Sequence, residues 1–292
     1  MGHRSGFVNI LGNPNVGKST IMNALVGEKL SIITPKVQTT RHRIMGIVNG
    51  EDFQIVYSDT PGILNPKYKL QESMMSFVNI ALTDADVILY VTDVSDAVEK
   101  EGEYIGKIKS SNIPVIIAVN KIDLTNQTEL EKIVESWHAI FPDSDIIPLS
   151  ALKGFNLDFL LRSVLAKLPE GAPFFPKDQL TDKFERFFAS EIIREKILIN
   201  YQKEIPYSVE IEIESFVEEK KITNIRAVIH VSRDSQKGII IGHRGQMLKK
   251  VGTEARLDME DFFGRKVFLE MYVKVSKDWR NKPTMLKKFG YR

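Results

Sequence analysis

Hydrophobic and polar positions in the first half of the chain alternate in blocks that predict strands and helices in turn. Short apolar runs predict strands at 7–11, 86–93, 114–119 and 145–149. Apolar residues at helical spacing predict helices near 18–27, 98–110, 128–140 and 155–168. This alternation is typical of an α/β fold in which helices cover a parallel sheet.

Two further predicted strands, at 43–48 and 53–58, flank the dipeptide Asn49-Gly50. Asn-Gly favours the tight turn of a β-hairpin because both residues adopt positive φ readily. We therefore expect one antiparallel edge strand in a six-stranded sheet that is mixed but mostly parallel.

The pattern changes at 168–176, where three prolines and a glycine preclude both a helix and a central strand. We place a domain boundary here, between a first domain at 1–172 and a second at 173–292. The second domain is predicted to be α+β, with a long helix around 182–200, strands at 207–216, 225–232 and 267–275, and helices on both sides of 242–245.

Composition and charge narrow the class of protein. The 292 residues are 43% hydrophobic, enough to bury a core in each domain, and the absence of Cys excludes a disulfide framework, a thiol nucleophile and a cysteine-ligated metal. No run approaches the roughly 18 apolar residues of a membrane-spanning helix, so we expect a cytoplasmic protein.

The net charge is −4 over 1–172 and +6 over 173–292, with +8 over 237–292 alone. The basic C-terminal domain suggests a polyanionic partner.

A phosphate-binding loop is predicted at Gly12-Asn-Pro-Asn-Val-Gly17-Lys18-Ser19, directly after a strand and at the start of a helix. Its glycines let backbone N–H groups face phosphate oxygens, and the helix N-terminus adds positive potential. Lys18 is expected to neutralise the β- and γ-phosphates, and Ser19 to offer a hydroxyl to Mg²⁺. The predicted nucleotide contacts in this segment are Gly12, Asn13, Asn15, Val16, Gly17, Lys18, Ser19 and Thr20.

Three more segments that follow predicted strands extend this site. In Asp59-Thr-Pro-Gly62, the aspartate can reach the magnesium shell and the last N–H can approach the γ-phosphate. In Asn120-Lys121-Ile-Asp123, the final carboxylate can accept hydrogen bonds from guanine N1–H and its amine, donors that adenine lacks in that arrangement. Ser150-Ala151 can supply a backbone N–H to guanine O6. The additional nucleotide contacts predicted are Asp59, Asn120, Lys121, Asp123, Ser150 and Ala151.

With these elements in order, residues 6–168 resemble the GTPase domains of the translation-factor class. The resemblance implies that one threonine of Thr39-Thr40-Arg41 binds Mg²⁺ together with Ser19 and Asp59, and we expect Thr40. The residues expected to act in hydrolysis are Lys18, Thr40 and Gly62.

One position departs from the best-known GTPases. Ile63 stands where Ras-like enzymes carry the glutamine that orients the attacking water, so slow intrinsic turnover is expected. Related GTPases with an apolar residue here use K⁺, and Asn15 matches the asparagine that ligates it. The resemblance therefore implies K⁺ as a second cofactor beside Mg²⁺.

In the second domain, Gly242-His243-Arg244-Gly245 lies between two predicted helices and is typical of a KH domain. The glycines allow an RNA backbone to approach closely, and the apolar groove beside such a turn accommodates about four unstacked bases. The helix and strands that precede this core favour the type II arrangement. The predicted RNA contacts are Ile241, Gly242, His243, Arg244, Gly245, Lys249 and Lys250.

Further runs, among them Gln38-Thr-Thr-Arg-His-Arg43, extend the resemblance to nearly the whole chain, which is similar to the Era family of bacterial GTPases. The resemblance implies binding near the 3′ end of small-subunit ribosomal RNA and a role in assembly of the 30S subunit. The expected partners are GTP or GDP, single-stranded ribosomal RNA and the 30S subunit, with no obligate protein partner. The alternative is a membrane-associated GTPase switch whose basic surface contacts anionic lipid at the inner face of the cell membrane.

Overall fold

A computed structural model describes residues 2–96 and 102–291, so the part of the expected helix at 98–101 lies outside the described residues. The chain divides into two units. The first consists of Met1–Asn65 and Met74–Asp182, and the second of Pro66–Ser73 and Lys183–Arg292.

The first unit is built on a six-stranded sheet. Its strands are β1 (Arg4–Leu11), β2 (Ile44–Asn49), β3 (Phe53–Asp59), β4 (Val87–Asp93), β5 (Val115–Asn120) and β6 (Asp145–Pro148), in the order β2-β3-β1-β4-β5-β6. β2 pairs antiparallel with β3, and the other neighbours are parallel. This confirms the expected mixed, mostly parallel sheet with an antiparallel strand at one edge.

Helices cover this sheet because the central strands are apolar on both faces, and every residue of β4 and β5 is buried. The helices in this part of the chain are α1 (Lys18–Val26), α2 (Lys69–Thr83), α3 (Glu103–Lys109), α4 (Gln127–Ile140) and α5 (Leu157–Lys167). α2 was not predicted from the sequence. It has buried residues at helical spacing, among them Leu70, Met74, Phe77 and Ala81.

The chain continues along the edge of this sheet beyond the proline-rich segment. Ile47 N donates to Leu180 O at 2.8 Å, and Thr181 Oγ1 donates to Met45 O at 2.6 Å. The prolines exclude helix, but they leave the following backbone free to pair with β2. The first unit therefore extends to Asp182, whereas the sequence placed the boundary at 172.

The second unit packs helices on one face of a three-stranded sheet. Its elements are α6 (Glu185–Asn200), α7 (Ile205–Ser208), β7 (Glu210–Glu218), β8 (Ile222–Val231), α8 (Asp234–Ile241), α9 (Gln246–Phe263), β9 (Lys266–Val275) and α10 (Pro283–Lys288). β8 lies between β7, which is antiparallel to it, and β9, which is parallel. Ile193, Ile229, Val251 and Met259 are fully buried in the core, and the expected α+β class is confirmed.

Two parts of the second unit differ from the prediction. The first residues of the strand expected at 207–216 lie instead in the short helix α7, and β7 begins at Glu210. Pro206 lies in the first turn of α7, where its missing N–H costs no hydrogen bond. After β9 the chain forms a turn of 3₁₀ helix at Trp279–Asn281 and then α10. Trp279 is fully buried and donates from Nε1 to Ser208 O at 3.0 Å, so it packs rather than lies at the surface.

Candidate functional site

The loop between β1 and α1 has a backbone that requires glycine at two positions. Gly12 has a φ of 142°, and a Cβ there would lie 2.0 Å from Val91 O. Gly17 has a φ of 98°, and its Cβ would lie 2.2 Å from Asn120 Nδ2. The loop ends where α1 begins, at a helix N-terminus whose unsatisfied N–H groups and dipole favour a phosphate.

Lys18 is the first residue of α1, and its ammonium group folds back over this loop. The side chain is 6% exposed, and Nζ donates to Gly12 O at 2.9 Å and to Asn13 O at 2.7 Å. Burial lowers the pKa of Lys18 to about 8, although the carboxylates of Asp59 and Asp96 partly offset this effect. A phosphate would supply the counter-charge that favours the ammonium form.

Ser19, Thr40 and Asp59 form an oxygen cluster beside the phosphate loop. Ser19 Oγ lies 2.6 Å from Asp59 Oδ2 and 2.9 Å from Thr40 Oγ1, and Thr40 Oγ1 lies 3.3 Å from Asp59 Oδ2. Asp59 is fully buried, which raises its pKa, and its Oδ1 has no hydrogen-bond partner among the described residues. Hydroxyl and carboxylate oxygens are the donors that Mg²⁺ prefers, so these residues fit a magnesium ion.

Residues 31–43, which lie between α1 and β2, are named the switch loop after the expected role of Thr39-Thr40-Arg41. Its two adjacent threonines differ in their contacts. Thr39 Oγ1 donates to Lys36 O at 2.6 Å and lies 2.7 Å from Thr34 Oγ1, whereas Thr40 lies in the oxygen cluster. The geometry therefore supports Thr40 as the magnesium ligand. The phosphate loop and the switch loop line one cavity, formed by Pro14, Asn15, Gly17, Lys18, Ser19, Ile32, Ile33, Thr34, Gln38, Thr39, Thr40, Thr60 and Gly62.

The segment after β3 lies directly against the phosphate loop. Thr60 is fully buried and donates from Oγ1 to Ile10 O at 2.7 Å, and Ile63 N donates to Gly12 O at 3.1 Å. A Cβ on Gly62 would lie 2.7 Å from Pro14 Cα. The close approach explains the glycine and places its N–H beside the loop that is expected to hold the phosphates.

Asn120 joins three loops of the candidate nucleotide site. It is 3% exposed, its Nδ2 donates to Val16 O at 2.9 Å, and its Oδ1 accepts from Ala151 N at 3.0 Å. The sequence suggested a contact with the nucleotide, and the structure adds a role in fixing the phosphate loop relative to the Ser150-Ala151 segment. Both partners are distant in the sequence, so pattern alone could not predict this role.

The remaining residues of the predicted base site also lie together. Lys121 has a φ of 61°, and its Nζ donates to Asn15 O at 2.6 Å and to Asp93 Oδ2 at 2.5 Å. Ser150 Oγ donates to Asp123 Oδ1 at 2.5 Å, and the Asp123 carboxylate is exposed. A carboxylate oriented by a buried serine at the carboxyl edge of a parallel sheet suits the recognition of a donor-bearing base.

In the second unit, the Gly-x-x-Gly turn connects α8 to α9. Gly242 has φ 72° and ψ 178°, and Gly245 has a φ of 77°. A Cβ on Gly242 would lie 2.7 Å from Met247 Cγ, whereas one on Gly245 would meet no atom of residues 2–96 and 102–291 within 4 Å. His243 and Arg244 are exposed at the tip of the turn, and Ile241 is half-buried beneath it.

A cavity of about 380 Å³ lies beside this turn, between α9 and the edge strand β9. It is lined by Gly245, Leu248, Lys249, Gly252, Thr253, Arg256, Leu269 and Met271. Lys249 was predicted as a contact. Lys250, also predicted, is not among the lining residues and lies 3.8 Å from Glu254. The apolar floor of the cavity comes from β9 and was missed, because only the fold brings that strand beside α9.

Comparisons with known proteins agree with both units. The family model described as "50S ribosome-binding GTPase" matches residues 7–121, and the KH domain model matches residues 204–280. The chain is 45% identical over 291 residues to GTPase Era of Syntrophus aciditrophicus, covering 99% of this chain and 95% of that protein. It is 43% identical over 294 residues to GTPase Era of Thermoanaerobacter sp. (strain X514), covering 100% and 97%.

The chain is also similar to two solved structures of Era. A variant of Era from Aquifex aeolicus bound to GDP and AlF₄⁻ is 42% identical with a TM-score of 0.94, covering 99% of each chain. A structure of Era with MgGDPNP and nucleotides 1506–1542 of 16S ribosomal RNA is 41% identical with a TM-score of 0.95, again covering 99% of each chain.

Proposed function

The chain belongs to the Era family of GTPases, and from this premise we propose that it uses GTP to control binding of single-stranded RNA near the 3′ end of small-subunit ribosomal RNA during assembly of the 30S subunit. It is a GTPase, which converts GTP to GDP and phosphate. We place its action in the cytoplasm, where ribosomal subunits are assembled.

One observation carries the RNA part of the proposal. The Gly242–Gly245 turn opens onto a cavity whose rim is basic, through Lys249 and Arg256, and whose floor is apolar, through Leu269 and Met271. Unstacked bases need apolar contact, and the backbone beside them needs positive charge and close approach. The Era structure that contains a 16S ribosomal RNA fragment supports the same class of ligand.

In the proposed hydrolysis, the chain positions GTP and neutralises its charge. Lys18 binds the β- and γ-phosphates together with the backbone of the loop at Gly12 and Gly17. Ser19, Thr40 and Asp59 would hold Mg²⁺, which when bound neutralises charge on the phosphate oxygens. Asp123 reads guanine and Gly62 offers its N–H to the γ-phosphate.

We further propose that K⁺ supports the reaction. Ile63 carries no group that could orient the attacking water. Positive charge placed beside the phosphates must therefore supply more of the acceleration of GTP hydrolysis. Asn15 Nδ2 donates to Pro35 O at 3.1 Å, which brings an asparagine amide and a switch-loop carbonyl together. Hydrolysis measured in KCl and NaCl at equal ionic strength tests this. Faster turnover in KCl that Asn15→Ala abolishes is expected, and equal rates in the two salts would exclude the K⁺ role.

The alternative is binding of the basic domain to anionic lipid. No helix within residues 2–96 and 102–291 is long and apolar enough to cross a membrane. The positive charge of the second unit would attract either polyanion, but the glycine turn and apolar floor suit bases rather than lipid headgroups. The RNA proposal is therefore favoured on geometry.

Equilibrium binding to a 3′-terminal 16S ribosomal RNA fragment and to phosphatidylserine vesicles separates the two, with GDP and with a nonhydrolysable GTP analogue. Gly242→Asp and Arg244→Asp should weaken RNA binding at least about tenfold, because each places negative charge on the phosphate path. Lys220→Asp is a matched control, since this exposed residue follows β7 and does not line the cavity.

Undiminished RNA affinity in both cleft variants would refute the proposed interface. Vesicle binding without RNA binding would favour the membrane alternative. Equal losses in the control and the cleft variants would indicate general charge attraction rather than a specific cleft.

A further inference from the structure

Arg43, at the C-terminal end of the switch loop, is buried and bonded to the sheet, and Arg41 in the same loop is fully buried as well. Arg43 is 8% exposed, and its Nε donates to Ser58 Oγ at 2.5 Å and its Nη2 to Asn9 Oδ1 at 3.1 Å. Nη1 and Nη2 also form a bidentate ion pair with Asp84, at 2.5 and 3.0 Å. Asn9 and Ser58 are register partners on β1 and β3, so the guanidinium spans two adjacent strands.

The acidic partner ties the same arginine to α2. Asp84 follows the last residue of α2, and Asn9 Nδ2 donates both to Asp84 Oδ1 at 2.7 Å and to Ala81 O at 2.5 Å. Arg43, Asn9 and Asp84 therefore contact one another in a closed triangle at the C-terminus of this helix. A cation is favoured at that end of a helix, and only the fork of arginine makes all these bonds at once.

The N-terminal end of the loop is fixed as well. Asn23 Oδ1 accepts from Leu30 N at 3.1 Å and from Ser31 N at 2.9 Å, and its Nδ2 donates to Ser31 O at 2.7 Å. Asn23 and Arg43 therefore hold the two ends of the segment 31–43, which contains Thr40. Thr40 is three residues before Arg43, so at most about 11 Å of chain separates their Cα atoms.

We propose that Arg43 is a positioning residue that sets the place of Thr40 at the magnesium cluster and links the switch loop to α2. Asp84 directly follows α2, so the Arg43–Asp84 pair joins the C-terminal end of the switch loop to the end of that helix. This inference rests on the proposed role of Thr40 as a magnesium ligand.

Loss of the arginine should affect GTP hydrolysis more than nucleotide binding. Arg43→Ala should lower kcat about tenfold or more and raise the Mg²⁺ concentration for half-maximal hydrolysis by a similar factor, as for other groups that orient metal ligands. The affinity for GDP should stay within about twofold, because Lys18 and Asp123 bind the nucleotide independently of the switch loop. Asp84→Asn keeps the shape of the side chain and removes the ion pair with Arg43. Because the Asp84 side chain is 42% exposed, this variant should fold, and its kcat should fall less than that of Arg43→Ala.

A double-mutant cycle with Thr40→Ala tests the inference on the full chain. If Arg43 acts through Thr40, adding Arg43→Ala or Asp84→Asn to Thr40→Ala should lower kcat by no more than about twofold. Val164→Ala is the control: it truncates a fully buried residue of α5, outside residues 31–43, and its effect on kcat should be the same with or without Thr40.

The outcomes separate the two claims. If Thr40→Ala alone leaves kcat and the Mg²⁺ requirement unchanged, the proposed magnesium role fails. The positioning role of Arg43 is overturned if Thr40→Ala lowers kcat and Asp84→Asn lowers it by the same factor in the Thr40→Ala background as in the unsubstituted chain. It is also overturned if Asp84→Asn weakens GDP binding as much as it slows hydrolysis.

Discussion

Protonation of Lys18 should make nucleotide binding depend on pH. Burial lowers the pKa of Lys18 from 10.5 to about 8, and the phosphates of a bound nucleotide should return it toward its ordinary value. Only the ammonium form binds phosphate well. The affinity for GDP should therefore be complete below pH 8 and fall as the pH rises from 8 toward 10.5.

The size of the pH effect on GDP affinity follows from the difference between the pKa of Lys18 in the free chain, about 8, and its ordinary value of 10.5. Between pH 7 and pH 9 the affinity for GDP should fall roughly tenfold, and binding should take up about 0.1 proton at pH 7 and about 0.9 at pH 9. The stability of the free chain should change in the opposite direction. Because the unfolded chain binds more protons between pH 8 and 10.5, the free energy of unfolding should rise by about 3 kcal/mol across that range.

Calorimetry of GDP binding in buffers with different ionisation enthalpies measures this proton uptake directly. Lys18→Arg is the control, since a guanidinium stays protonated throughout the range and the titration of guanine itself is common to both proteins. Proton uptake in the unsubstituted chain that does not rise from pH 7 to pH 9, or that rises equally in the control, would refute the assignment of a buried, easily deprotonated ammonium.

Two further substitutions test packing on which the units depend. Gly12→Ala would place a Cβ 2.0 Å from Val91 O at a φ of 142°. Calorimetry should then show GDP binding weakened at least about 100-fold. An affinity near that of the unsubstituted chain would mean that the phosphate loop tolerates the added Cβ. Trp279→Phe leaves the buried Ser208 O without the indole N–H as its donor. Urea unfolding followed by circular dichroism should show the stability of the second unit lowered by roughly 1–3 kcal/mol. An unchanged unfolding midpoint would show that this hydrogen bond contributes little.

The sequence predicted the sheet because its central strands are continuous apolar runs and its phosphate loop follows one of them. It predicted the β2–β3 hairpin because Asn49-Gly50 specifies the turn. It did not predict α2, although buried residues such as Leu70 and Met74 recur there at helical spacing. The error at α7 arose because the apolar residues around Pro206 suit either a strand or a helical turn.

Contacts between distant residues account for what pattern could not supply. Asn120 was assigned to the nucleotide by its motif, but its bond to Val16 O joins positions far apart in the chain. The floor of the cavity beside the Gly242–Gly245 turn, at Leu269 and Met271, depends on β9 lying beside α9. The closed triangle at Arg43 likewise needs three elements in place. Each depends on the tertiary fold, which local periodicity does not encode.

The most direct test of the guanine-nucleotide assignment is the base preference of Asp123→Asn. The proposed role of the Asp123 carboxylate is to accept hydrogen bonds from two guanine donors, whereas the amide that the substitution introduces presents an N–H donor, which suits xanthine instead. The substitution should lower kcat/KM for GTP by roughly 10²–10⁴-fold, make XTP the better substrate, and leave RNA binding in the absence of nucleotide unchanged. GTP remaining the better substrate, with its original kcat/KM, would contradict the account.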